Sequence, residues 1–415
     1  HPGVIPIEVI DDANSIEYLG NIVHKKNPEI EEWALNPSSK LNIDSLKKFE
    51  GNYNIIKEMK LANAYPEIVG FKKTVAVGYH INLRDPIGLS DLDLFIGCSP
   101  WSNYDENQKI HAQLDWKYKF WRLNASYNKT NFYDLFGPTM RSRAGYSAGI
   151  SYDKTNSIKN PLKFNYNFSL ATFGGLEVLP QYQNVSVDSS INSFQYADAS
   201  YGISKIRKTL GGVDDEEGYD WKISASTYFA GGKLFPNIVS EQSLGFVIPI
   251  MRNTSFWVRN SIGHTFGEEN SSMSNFYFGG FRNNYIDWQE AEQYRKVSAF
   301  PGVNIDAIPA RNFIKTMGEL NLKPIRLENV GTTWIYPTYI KTSLFGTHLL
   351  TDFNKPEITR NIFNAGIQID MQVVMFSYFK TTWSAGYALM FENQIPGQST
   401  NIFGQLMLSL KLLGN

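Results

Sequence analysis

The chain has 415 residues, of which 42% are hydrophobic, 14% aromatic and 19% charged, and its formal net charge is −1. This balance excludes nucleic-acid binding through bulk charge, and the apolar content excludes a disordered chain. A single cysteine, Cys98, excludes a disulfide scaffold and a multi-cysteine metal site. No segment approaches 18 uninterrupted apolar residues, so no transmembrane helix is predicted.

The first 69 residues differ from the rest of the chain. They are densely charged, alternate poorly and are interrupted by Pro6, Pro28, Pro37 and Pro66. Residues 1–69 therefore predict a short irregular or helical lead-in, or the tail of a preceding domain.

From residue 70 to 415 the chain is dominated by segments in which apolar and polar residues alternate. Leu162–Leu170 and Leu406–Leu412 are examples, and about fifteen such segments occur, with long polar insertions at 174–218 and 283–309. Since strand side chains point alternately to opposite faces, each segment has one apolar and one polar face. A soluble β-sandwich is one explanation.

Three features favour a membrane barrel over the sandwich. The segments are about ten residues long, which suits a tilted crossing of a bilayer, aromatic residues concentrate near segment ends, and the polar faces carry charges that a soluble core would not accept. The predicted fold is therefore all-β, a closed antiparallel transmembrane β-barrel of about 14–16 strands. Expected lipid-facing positions are Leu114, Trp116, Phe164, Phe168, Ile367, Ile369, Leu408 and Leu410.

The polar faces carry charged residues that we expect to line the lumen. We expect the substitution Gln368→Arg, on this polar face, to be tolerated. The charged residues either select solutes or neutralise one another, with Asp115 as a further partner. The expected lumen-lining residues are Lys117, Arg122, Lys163, Lys222, Arg311, Lys315, Glu319 and Asp370.

No catalytic, metal or cofactor site is predicted, because the six histidines fit none of the common catalytic or zinc-binding patterns. An alternative is a hydrolase at the extracellular rim that uses His264 and Glu268. The acidic run 214–217 does not have the spacing of a calcium-binding loop, and we interpret it as a solvated loop tip.

The stretch after Phe276 has its own signature. Gly279 and Gly280 predict a bulge or a close backbone approach, and the insertion 283–309 is too long for a simple connection. We predict that it folds inward onto the charged face, whereas the alternative is a loop that points away. The expected loop or plug residues are Gly279, Gly280, Arg282, Asn284 and Trp288.

Five stretches of the chain are distinctive: RDPIGLSDLDLFIGCSPW (84–101), NFYDLFGPTMRSRAGYSAGISY (131–152), FYFGGFRNNYID (276–287), FPGVNIDAIPARNFIKTMGELNLKPIRL (300–327) and AGIQIDMQVVMFSYFKTTWSAGYAL (365–389). Together they resemble the C-terminal outer-membrane barrel of bacterial proteins whose N-terminal half is a TolB-type β-propeller. This resemblance implies that residues 1–69 lie on the periplasmic side. The Phe278-Gly279-Gly280 piece also resembles, more weakly, outer-membrane assembly and two-partner-secretion barrels, although Arg282-Asn283-Asn284-Tyr285 replaces their usual loop tip.

The resemblance implies a barrel in the outer membrane of a Gram-negative bacterium, in contact with lipid and with a periplasmic β-propeller domain or another periplasmic protein. The expected function is that of a non-enzymatic barrel that passes, exports or anchors cargo. The alternatives are the rim hydrolase and a purely structural docking barrel in a larger complex.

Overall fold

The computed structural model divides the chain into two compact units, residues 1–54 and 55–415. It describes residues 25, 26, 28, 53–71, 74–128, 144–175, 193–269, 271–392 and 401–412. The fold given below is that of the second unit.

The second unit is all-β, as the alternation predicted, and is built on one sheet of 18 strands. Sixteen of these strands are long, and each is antiparallel to the next, which agrees with the predicted 14–16. They are β1 (Lys60–Phe71), β2 (Thr74–Arg84), β3 (Ser90–Cys98), β4 (Ile110–Tyr118), β5 (Trp121–Tyr127), β6 (Tyr146–Lys159), β7 (Leu162–Gly174), β8 (Phe194–Arg207), β9 (Glu217–Ala230), β10 (Lys233–Val247), β11 (Ser255–Thr265), β15 (Asn312–Asn321), β17 (Ile335–Thr351), β18 (Arg360–Met375), β19 (Phe379–Glu392) and β20 (Asn401–Leu412).

The remaining elements are short. Two-residue strands β13 (Ile286–Asp287) and β16 (Ile325–Arg326) complete the large sheet, and β12 (Phe276–Phe278) pairs with β14 (Ile308–Ala310). The described helices are the single turn α1 (Glu106–Lys109) and two 3₁₀ turns. No helix in the described part of the chain is long and apolar enough to cross a membrane.

The two edges of the long ladder are β1 and β20. β1 pairs with β2, and β20 pairs with β19 and, in parallel over two residues, with β13. Within the described ranges no pairing joins β1 to β20.

Two strands lie where the sequence predicted none. β1 begins at Lys60, inside the predicted lead-in, and was not expected there because Pro66 interrupts the alternation. β8 lies inside the predicted insertion 174–218, because its apolar face carries the small residues Ala197 and Ala199 and its alternation is therefore weak.

Directly paired residues share one face of a sheet, so the ladder can be followed from strand to strand. The expected lipid-facing residues lie on one face, where Ile369 is 42% and Leu408 is 54% exposed. The opposite, polar face is half-buried or exposed over most of the first strands, although Asn82 and Phe95 are buried there, and it is covered over the last strands. Gln368 lies on its covered part and is fully buried, so the expectation that Arg would be tolerated there is wrong.

The two ends of the sheet differ in their connections. One end, the turn end, has connections as short as residues 119–120 and 160–161, and also carries the turn 208–216. The opposite end, the loop end, also has a two-residue connection at 231–232, but it carries the longest connections of the sheet. There β11 and β15 are joined by residues 266–311, which we call the insertion.

Candidate functional site

The insertion covers the polar face of β11, β15, β17, β18, β19 and β20. It starts at the loop end, and its middle reaches the turn end, because Ile286 and Asp287 pair with Leu410 and Lys411 at the end of β20. It returns through a bridge between Gly280 and Phe300. The insertion therefore runs along the length of the strands that it covers.

Glycines allow the insertion to double back and to approach the strands closely. Gly279 has φ +149° and Gly280 has φ +70°, and a Cβ at Gly279 would lie 2.0 Å from the carbonyl oxygen of Asn304. Gly302 has φ +108°, and its Cβ would lie 2.8 Å from the Met390 backbone nitrogen. Only glycine fits these positions without a backbone shift.

Aromatic side chains anchor the insertion. Phe278, Phe300 and Ile308 pack with strand residues in one buried cluster, and the Tyr294 ring stacks on Phe345 with centroids 4.5 Å apart. Burying a side chain of this size contributes roughly 1.5–3 kcal/mol, so the contacts hold the insertion independently of charge. The strand residues of the first cluster are Phe313, Leu349, Ile362 and Met390.

Six charged residues, the ion-pair cluster, join the insertion to the sheet and to the turn 208–216. Three are carboxylates and three are basic groups, so the charges balance. They are Asp214, Arg259, Glu292, Arg295, Glu319 and Lys341.

Glu319 is the centre of this cluster. It is 0% exposed, and its Oε1 accepts hydrogen bonds from Arg295 at 2.5 Å and from the Tyr294 hydroxyl at 2.9 Å. Its Oε2 accepts one from Arg259 at 2.8 Å. Burial, followed by the negative charge of Glu319, raises the pKa of Tyr294 well above its usual value, so the phenol stays a donor.

Asp214 ties the far end of the insertion to the turn end of the sheet. Its Oδ2 accepts hydrogen bonds from Arg295 at 2.6 Å and from Lys341 at 2.5 Å, and Lys341 also donates to Glu292 at 2.6 Å. Burial raises the pKa of Asp214, but the positive charges of Arg295 and Lys341 outweigh it and hold that pKa below its usual range.

Lys315 binds the backbone of the insertion. Its buried ammonium donates to the carbonyl oxygens of Lys296 at 2.8 Å, Val297 at 3.0 Å and Ala299 at 2.5 Å. These three acceptors match the three donors of the group.

Amide side chains of two further strands, β18 and β20, form hydrogen bonds with the backbone of the insertion. Gln368 donates to the Ala291 carbonyl oxygen at 3.0 Å, and Asn364 donates to that of Pro301 at 2.8 Å. Gln405 accepts from the Gly302 backbone nitrogen at 3.1 Å.

The structure brings some of the expected lumen residues together and separates others. Lys315 and Glu319 contact the insertion, and Asp370 is buried beside Gln368 and Ser384. Arg311 instead donates to the carbonyl oxygen of Gly267 at 2.6 Å.

The other four expected residues lie on the polar face of the first half of the sheet. Arg122 forms an ion pair with Asp115 at 2.6 Å, and Lys117 is opposite Arg122 in the ladder. Lys163 and Lys222 lie on later strands, opposite Ser204 and Gly202.

The expected loop residues belong to the folded insertion. Arg282 donates to Asp306 at 2.5 Å and to the Tyr277 carbonyl oxygen at 3.0 Å. The backbone nitrogen of Asn284 donates to Asp287 at 3.2 Å, while Trp288 is 60% exposed.

The residues named for a rim hydrolase do not form a site. His264 lies edge-on to Phe266, and Glu268 pairs with Lys233 at 2.6 Å. A serine and a histidine do meet elsewhere, since Ser99 Oγ is 2.7 Å from His111 Nε2. Both residues are fully buried, and the carbonyl oxygen of Asn128 faces the other ring nitrogen at 2.9 Å.

Sequence reasoning missed four members of the ion-pair cluster, Arg259, Glu292, Arg295 and Lys341. It also interpreted the acidic run 214–217 as solvated, whereas Asp214 is paired and Glu216 is buried, accepting hydrogen bonds from Thr209 and Asn253. The position of Lys341 on β17 could have indicated a covered polar face, because Lys341 lies on the same face of the strand as the large apolar residue Phe345.

Residues 216–359, about a third of the chain, match the OMP85 superfamily. No curated protein sequence matches. The all-β sheet and this match support an outer-membrane β-barrel transport protein, located at that coarse level in the outer membrane of a Gram-negative bacterium.

Among solved structures, CdiB from Escherichia coli is similar at 12% identity and a TM-score of 0.40, covering 84% of this chain. This chain spans 62% of the length of CdiB. The outer membrane channel DcaP of Acinetobacter baumannii is similar at 10% identity and a TM-score of 0.34, over 88% of this chain and 100% of that one. OccK11 (OpdR) of Pseudomonas aeruginosa is similar at 11% identity and a TM-score of 0.32, over 86% and 95%.

Proposed function

We propose that β1 and β20 meet to close the sheet into a barrel embedded in lipid, with the polar face lining a lumen. Sixteen long strands with one apolar, exposed face support this arrangement. Lipid offers no hydrogen bonds, so the open edges of β1 and β20 would be costly unless they paired.

We also propose that the turn end faces the periplasm and the loop end faces the outside, because barrels of this kind have short periplasmic turns and longer external loops. The chain enters β1 and leaves β20 at the turn end. A periplasmic partner would therefore meet the residues that precede β1.

The insertion is then a gate for transport. It would occupy the part of the lumen next to the last strands, and the polar face of the first strands would border the remaining path. One observation carries this proposal: the insertion enters from the loop end and is tied to Asp214 at the turn end. The function is that of a gated, non-enzymatic barrel that passes or exports cargo with a periplasmic partner.

Conductance across planar bilayers tests the gate. Residues 286–299 are replaced by a short Gly-Ser linker, and folding is checked by the different gel mobility of heated and unheated protein. We expect the variant to conduct more than the wild type, because the removed segment lies across the polar face.

The matched control is Arg122→Gln, which changes a charge on the same face without touching the insertion. A folded deletion variant whose conductance equals that of the wild type would contradict the gate. If neither protein conducts, the barrel has a docking role, and cargo passage is wrong.

A further inference from the structure

The apolar face carries a patch that differs from its surroundings. Gln242, Asn260 and Thr316 are direct neighbours in the ladder. The adjacent row places Gly318, Gly346 and Ala365 side by side. We call these six residues the outer patch.

The polar members lie far from the strand ends. Asn260 is at the middle of β11 and Thr316 is at the middle of β15. In a tilted strand that crosses a bilayer, the middle lies near the centre of the hydrocarbon layer. The Asn260 and Gln242 side chains are exposed, and in the part of the chain that the structure describes their carboxamides make no hydrogen bond. An amide facing hydrocarbon without a partner is unfavourable.

The glycines of the outer patch give independent evidence. A Cβ at Gly346 would approach no atom closer than 3.6 Å, and one at Gly318 none closer than 3.5 Å. Both are ordinary contact distances, and neither residue has a positive φ. By contrast, a Cβ at Gly366, on the covered face, would meet Phe345 at 2.5 Å. The fold of this chain therefore requires glycine at Gly366 but not at Gly346, although glycine weakens a strand interior.

We propose that the outer patch is the contact surface for a second copy of this chain within the membrane. Each carboxamide has both donors and an acceptor, so the same patch complements itself after a two-fold rotation. The small residues let two backbones approach closely, as they do at other contacts within membranes. This inference rests on the proposed function insofar as it needs the apolar face to be in lipid.

Cross-linking in native membranes tests the contact. Cys98→Ser removes the single native thiol, and Ile262→Cys then provides an exposed one beside the outer patch, two residues from Asn260 on the same face. We expect a short bismaleimide to give a dimer of this chain. The control is Ala199→Cys, which places a thiol on the apolar face of β8, outside the patch. Adding Gly346→Leu to the Ile262→Cys protein should lower the dimer yield by about tenfold, the change that corresponds to ~1.4 kcal/mol. A Cβ at this position makes only an ordinary contact and the position is exposed, so the variant should fold.

The inference is overturned if Ile262→Cys yields no more dimer than Ala199→Cys, if Gly346→Leu leaves the yield unchanged, or if the product joins this chain to a different protein. Heat-dependent gel mobility and membrane fractionation of the same samples separate this failure from that of the proposed function. A folded, membrane-embedded monomer rejects only the dimer, whereas a chain that is stable in water without detergent rejects the barrel itself.

Discussion

Glu319→Gln should loosen the insertion without unfolding the sheet. The substitution keeps the size of a fully buried side chain but removes the negative charge that Arg259 and Arg295 share. Two guanidinium groups then lose a partner in a place with little water.

The magnitude follows from these contacts. Removing one partner of a buried ion pair typically costs about 3–5 kcal/mol. Here the lower end applies, because Arg295 keeps Asp214 and the Arg259 side chain is 21% exposed. A cost of ~3 kcal/mol corresponds to roughly a hundredfold rise in the population of the released insertion.

Hydrogen exchange of the insertion amides measures this population. We expect residues 293–299 to exchange roughly a hundredfold faster in Glu319→Gln, while strands away from the insertion keep their rates. Single-channel recordings should show more frequent open events.

Asp115→Asn is the matched control, because it removes an ion pair with Arg122 on the uncovered part of the same face. The double variant Glu319→Gln with Arg259→Met should recover part of the lost protection, because the guanidinium that has lost its ion-pair partner is then gone. Unchanged exchange in Glu319→Gln would refute the assignment of Glu319 as the centre that holds the insertion.

Three further predictions concern pH, lipid and partners. The folded-state pKa of Asp214 is depressed, so its contribution to stability is present above its unfolded pKa of about 3.9 and is lost as the pH falls further. Hydrogen exchange of the insertion amides should therefore accelerate from about pH 4 downward. The acceleration should be much smaller in Asp214→Asn. Ile369→Arg should lower the free energy of unfolding by about 2–4 kcal/mol, because the residue lies near the bilayer centre, whereas Asn167→Arg on the uncovered polar face should lower it little. Denaturant titration in lipid measures both values, and equal losses would contradict the lipid exposure of Ile369. Pull-down from native membranes should recover a periplasmic protein with a β-propeller domain, and removing residues 1–54 should abolish its capture; unchanged capture would exclude this segment as the binding element.

The strand-to-strand order could be predicted well, but the covered half of the polar face could not. Lys315 and Gln368 both lie on the polar face of their strands, which the alternation predicts to face a water-filled lumen. The alternation carries no information about which other segment packs on that face. The structure buries both residues beneath the insertion. A polar side chain that the alternation places on the lumen side can therefore still be buried by another segment of the protein.

The sequence by itself determined the all-β class, the approximate number of strands, and which residues of each strand share a face. These properties are local, because side-chain direction repeats every two residues along a strand. The tertiary structure alone decided where the insertion lies and which charges meet. Arg295 and Asp214 are 81 residues apart in the chain, and Lys341 and Asp214 are 127 apart. Their pairing depends on the path of the insertion across six strands, which no local pattern encodes.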